Sequence, residues 1–69
     1  MTREELQALE DAGIVKEHHT ASRRGYISRK SAGKVERYSG RFGTGYALIS
    51  PRWDTTQYVY ITYYVEVEP

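Results

Sequence analysis

The 69-residue chain has no cysteine, so neither a disulfide nor a thiolate metal site can hold its fold. It has only two prolines and one methionine, and its single phenylalanine and single tryptophan leave seven tyrosines as the main aromatic bodies. No apolar run approaches the roughly 20 residues of a membrane-spanning helix. The opening MTREELQALE is charged and amphipathic, unlike a secretory leader. Together with the missing cysteine, this leads us to expect a soluble, cytoplasmic chain. The length allows one small domain, residues 1–69, with a thin margin between apolar burial and conformational entropy.

Acidic residues are nearly missing from the middle of the chain. Between His18 and Trp53 there is only Glu36, against Arg23, Arg24, Arg29, Lys30, Lys34, Arg37, Arg41 and Arg52, a net charge of +7. The two ends, residues 1–17 and 54–69, each carry −3. Six of the eight central cations are arginine, whose planar fork suits bidentate contact with phosphate or carboxylate.

The stretch QYVYITYYVEVE, residues 57–68, reads as one long strand. Alternation divides it into Val59, Ile61, Tyr63, Val65 and Val67 on one side and Tyr58, Tyr60, Thr62, Tyr64 and Glu66 on the other. The aliphatic side is expected to seat a helix. The side of Tyr58, Tyr60 and Tyr64, apolar but tipped with hydroxyls, is expected to face a partner.

That helix is expected at about residues 3–12. Thr2 and Glu5 have the spacing of a capping box, Leu6 and Leu9 recur at helical spacing, and Gly13 suits the C-terminal cap, with Ile14 beside it. Alone it would be marginal, being shorter than ~12–15 residues. From residue 14 to 68 the pattern is β-rich. Short strands are expected at 26–30, 34–38 and 46–50, with Pro51 as a stop and PRWDTT as a turn. The fold class is therefore α+β: one N-terminal helix packed on an antiparallel sheet of three to four strands.

Leu9, Glu10, Gly13, Ile14 and Val15, followed by Arg23, Arg24, Gly25 and Tyr26, give LEDAGIVKEHHTASRRGYISR a local resemblance to winged helix-turn-helix repressors. There a recognition helix runs into a basic hairpin wing, so the resemblance implies major-groove DNA binding. The segment departs from that family in its acidic helix and in having no counterpart of the two preceding helices. The plainer reading is a capped helix running into a strand.

No other motif carries chemistry. The glycines of SGRFGTG fit neither a P-loop nor a dinucleotide fingerprint and read as a bend, with Arg41 and Phe42 at its tip. His18 and His19 would point to opposite faces of a strand, and nothing completes a metal set. No nucleophile, base and orienting group can be nominated, so neither catalysis nor a cofactor is expected. What remains is a series of cations and rings: Arg23, Arg24, Tyr26, Arg29, Lys30, Arg37, Tyr38, Arg41, Phe42, Arg52, Trp53, Tyr58 and Tyr60. Rings that stack on bases and cations that track phosphates are how single-stranded nucleic acid is held. The expectation is a small non-enzymatic binding protein that engages nucleic acid or a nucleic-acid-handling protein. In size and composition it is in the style of phage or mobile-element accessory proteins, among them inhibitors of host defence nucleases. The rival is a protein–protein interaction module or homodimer using the Tyr58, Tyr60 and Tyr64 face or a strand edge. The bland reading of the same residues is a solvated sheet whose tyrosines fill a small core.

Overall fold

The computed structural model describes residues 1–25, 33–52, 54 and 57–67. Its elements follow in the order α1 (Arg3–Asp11), β1 (Val15–Arg24), β2 (Val35–Gly40), β3 (Gly43–Pro51) and β4 (Tyr58–Glu66). The strands form one antiparallel sheet in the order β1-β4-β3-β2, so the α+β expectation of a helix on a small antiparallel sheet holds. The C-terminal strand β4 lies centrally, between β1 and β3. Among the described residues, no helix is long and apolar enough to cross a membrane.

Helix α1 begins and ends as its residues dictate. The Glu5 amide donates to Thr2 Oγ1 at 3.1 Å and the Thr2 amide to Glu5 Oε1 at 3.4 Å, the reciprocal capping box. At the other end Gly13 turns to φ 75°, which a residue with a Cβ rarely adopts. The Gly13 amide then reaches the Glu10 carbonyl and the Ile14 amide the Leu9 carbonyl. This is a Schellman closure.

The helix docks on the side of β4 opposite to the one expected. Cross-strand partners share a face. Val15 pairs with Glu66, Tyr46 with Tyr64, Leu48 with Thr62 and Val35 with Leu48. Leu6, Val15, Val35 and Leu48 form the buried cluster, with Leu9, Tyr46 and Tyr64 packed against it. Leu6 and Val15 are each only 2% exposed. The helix thus sits on the tyrosine side of β4, and Val59, Ile61, Tyr63 and Val65 face away from it. The physical reason lies on the neighbouring strands. Leucine, valine and tyrosine at 48, 35 and 46 build an apolar floor in register with Tyr64, whereas the other side of β3 carries the smaller set Gly43, Gly45, Ala47, Ile49 and Pro51.

Strand β1 is the second departure. None of the strands expected at 26–30, 34–38 and 46–50 covers residues 15–24, yet these form a ten-residue edge strand along β4. Apart from buried Val15 and half-buried Ala21 the strand is exposed, so backbone pairing with β4 and not an apolar pattern makes it a strand. The same pairing sets aside the winged-helix resemblance: β1 joins the distant β4, and a wing would pair with the strand that follows it. The strand expected at 26–30 lies outside the described residues.

Candidate nucleic-acid interface

The helix-free face gathers five rings. Tyr63 projects from the middle of β4, Tyr38 from β2, and His18 and His19 from β1. Phe42 comes from the two-residue connection between β2 and β3, whose closing pair is Gly40 and Gly43. The ring centroids of Tyr38 and Tyr63 are 4.6 Å apart, and those of Phe42 and Tyr63 5.4 Å. Phe42 is not a projecting tip residue. It is half-buried and folds back across the sheet, its ring 5.1 Å from His18 and 5.2 Å from His19. Its amide meets the Tyr38 hydroxyl at 3.3 Å.

Two local features make this convergence possible. The first is Gly45, opposite Tyr38 on one side and Val65 on the other. A Cβ there would run into the backbone carbonyl of Tyr64, so β3 and β4 approach closely only because residue 45 is glycine. Its bareness also leaves β3 flat where the rings of Tyr38 and Phe42 lean toward Tyr63. The second is a β-bulge between Glu17 and His19. It breaks the strict alternation that would have sent the two imidazoles to opposite faces, and both end against Phe42. Among the described residues, no group of three or more metal-ligating side chains forms around them.

Charge on this face is mostly positive. Lys16 and Arg23 share it, being in register with Val65 and Val59. Arg41 lies over the Phe42 ring, 5.4 Å from its centroid. The acid on this side, Glu36, is tied to Lys34 at 3.2 Å. Between the cations runs an apolar strip of Val59, Ile61, Tyr63 and Val65 with Ala47 and Ile49. Val59 and Val65 are 6% and 5% exposed, whereas Ile61, Tyr63 and Ile49 remain half-exposed. A shallow groove of about 360 Å³ borders the cluster, lined by Lys16, His18, Phe42, Val65, Glu66 and Val67.

The cations and rings singled out in the sequence therefore do not form one surface. Arg23, Tyr38, Arg41 and Phe42 belong to the helix-free face. Arg24, Arg37, Tyr58 and Tyr60 lie on the helix side, Arg37 over the Tyr46 ring. Arg52 joins Tyr58 and Tyr60, 5.8 and 5.3 Å from their centroids. Tyr64, grouped with those two by alternation, is under the helix, where burial, then Glu17 and Glu10, push its hydroxyl pKa up. Tyr26, Arg29, Lys30 and Trp53 lie outside the described residues. The residues missed were His18, His19 and Tyr63. Tyr63 was hidden by its assignment to the helix-seating side, and the histidines by a bulge that alternation does not announce.

Arg52 is already engaged. Its Nε donates to Asp54 Oδ1 at 2.9 Å, Nη2 to Asp54 Oδ2 at 2.5 Å, and Nη1 to Ser22 Oγ at 2.8 Å. The bidentate pair lowers the Asp54 carboxyl pKa and raises that of the guanidinium. With its fork closed by Asp54, Arg52 is a poor anchor for phosphate. Comparison with family models, with curated proteins and with solved structures yields no match.

Proposed function

We propose that the protein is a non-enzymatic binder of single-stranded nucleic acid, and that the strand lies across the helix-free face of the sheet. The observation that carries this reading is one surface on which Tyr63, Tyr38, Phe42, His18 and His19 converge beside Lys16, Arg23 and Arg41. Unpaired bases have apolar faces that stack on rings, and the phosphates between them need cations at the margins. A duplex hides its base faces and is read by an inserted element. Here the helix is acidic, with Glu4, Glu5, Glu10 and Asp11, and lies on the far side of the sheet. The Phe42 ring of the β2–β3 connection is folded down on the sheet and is not free to enter a groove. The lack of cysteine and this class of ligand both suit action in the cytoplasm.

Fluorescence anisotropy with a labelled single-stranded oligonucleotide tests the reading. Affinity should fall steeply with salt as counterions are released. Reversing two marginal charges, Arg23→Glu with Arg41→Glu, should flatten that dependence, and Tyr63→Ala should weaken binding by about 1–3 kcal/mol. No binding at about 50 mM salt would overturn it. Tighter binding to duplex than to single strand would overturn the assignment of the strand type.

A further inference from the structure

Among the described residues, only half of the helix side of the sheet is covered. Helix α1 covers Val15, Tyr64, Tyr46, Leu48 and Val35 through Leu6 and Leu9. Toward the other end of β1 and β4, Thr20, Ser22 and Arg24 stand exposed beside Thr62, Tyr60 and Tyr58, with Tyr58 40% exposed. Arg52 lies over the two tyrosine rings, held by Ser22 and Asp54. This uncovered half is flat and aromatic, with Arg24 at its rim, while the fork of Arg52 is already closed by Asp54. The covered half is capped by a helix with a net charge of −3 over Arg3–Asp11.

The outward surface of that helix has a definite composition. With Leu6 pointing at the sheet, a period of 3.6 residues sets Glu4, Ala8 and Asp11 on the opposite side, and all three are exposed. It is an acidic rim around a small residue, which lets another surface approach closely.

We propose that two copies of this chain pair through their helix sides about a two-fold axis, each helix lying on the bare tyrosine–arginine half of the partner's sheet. The arrangement is isologous, as a two-fold interface requires: Glu4 and Asp11 of one copy meet Arg24 and the Tyr58 and Tyr60 hydroxyls of the other, and the reverse. Both helices then fill one layer between two sheets. The molecule measures 39 × 24 × 17 Å, so its broad face can supply the ~800 Å² per partner that specific dimers bury. The pairing leaves both helix-free faces outward, and it stands whether or not those faces bind nucleic acid.

Sedimentation velocity of the full chain, from about 1 µM to about 1 mM, gives the test. The expected result is a concentration-dependent shift from monomer to dimer that weakens with salt. Arg24→Glu should hold the chain monomeric, as should Glu4→Arg combined with Asp11→Arg, with circular dichroism confirming that each variant is folded. Mixing the two variants should restore a dimer, because each then carries the charge the other needs. Ala8→Arg is a second block that does not depend on charge reversal of a cap-proximal residue. A wild-type chain that stays monomeric throughout would overturn the proposal. So would a dimer that survives Arg24→Glu and Ala8→Arg, since it would use another surface.

Discussion

Both faces of the sheet are built on β4, yet they are finished by different means. On the helix side, Leu6 and Leu9 arrive from a separate element and complete a core with Val15, Val35 and Leu48. On the other side no described helix arrives, and side chains from the strands and one short connection cover each other, with Phe42 folded over His18, His19 and Tyr63. The difference shows how a small chain can bury one sheet face under a helix and leave the other closed only by its own half-buried rings.

The largest effect should come where the two faces share a backbone constraint. Gly45→Val would drive a side chain into the β4 backbone and should cost roughly 4 kcal/mol or more, enough to unfold most of the population. Denaturant titration or loss of soluble expression reads it. Next is the helix-side core: Leu6→Ala or Leu48→Ala should cost about 2–5 kcal/mol in chemical denaturation. If Tyr63→Ala proved as damaging to stability as Leu6→Ala, the helix-free face would be a second core and the contrast between the faces would fail. The expected cost is smaller, about 1–2 kcal/mol, because Tyr63 is only half-buried, while binding suffers more than folding.

A milder effect concerns the helix itself. Thr2→Ala removes one arm of the capping box and should cost about 1 kcal/mol by thermal or urea unfolding. Nucleic-acid affinity should be untouched at temperatures where the variant is folded. The smallest effect is in the pH profile. The folded Asp54 carboxyl titrates lower than in the unfolded chain, because Arg52 hydrogen-bonds it. The contribution of the pair is thus fully present above the unfolded pKa of about 4 and is lost as pH falls through the folded value. Asp54→Asn should flatten that part of the stability profile. Asp54 is exposed and Arg52 only half-buried, so water screens the pair and the change will be slight.

What could be read from residues alone was local or periodic. The capping box at Thr2 and Glu5, the turn at Gly13 and the strand beginning near Tyr58 each depend on neighbours in sequence, and each formed. The choice of which side of β4 the helix takes depends on Tyr46, Leu48 and Val35, whose register exists only after the sheet is assembled. Alternation split Tyr58, Tyr60 and Tyr64 correctly from Val59, Ile61 and Val65, but it carries no information about which set lies inward. The polar β1 and its bulge escaped for the same reason: an edge strand held by backbone pairing leaves little apolar trace, and a bulge leaves none. Two of the five rings, Tyr38 and Phe42, were therefore recoverable, and the other three, Tyr63 and the two histidines, were not.

The most direct test of the division of labour between the faces is a map of backbone amide chemical shifts during titration with a single-stranded oligonucleotide at low salt. The shifts should concentrate at Lys16, His18, His19 and Arg23 on β1, at Tyr38, at Arg41 and Phe42, at Ala47, and at Ile61, Tyr63 and Val65. Helix residues Arg3–Asp11 should stay in place. Shifts centred on α1, or on Arg52, Tyr58 and Tyr60, would contradict the assignment of binding to the helix-free face, and an unperturbed spectrum would contradict nucleic-acid binding altogether.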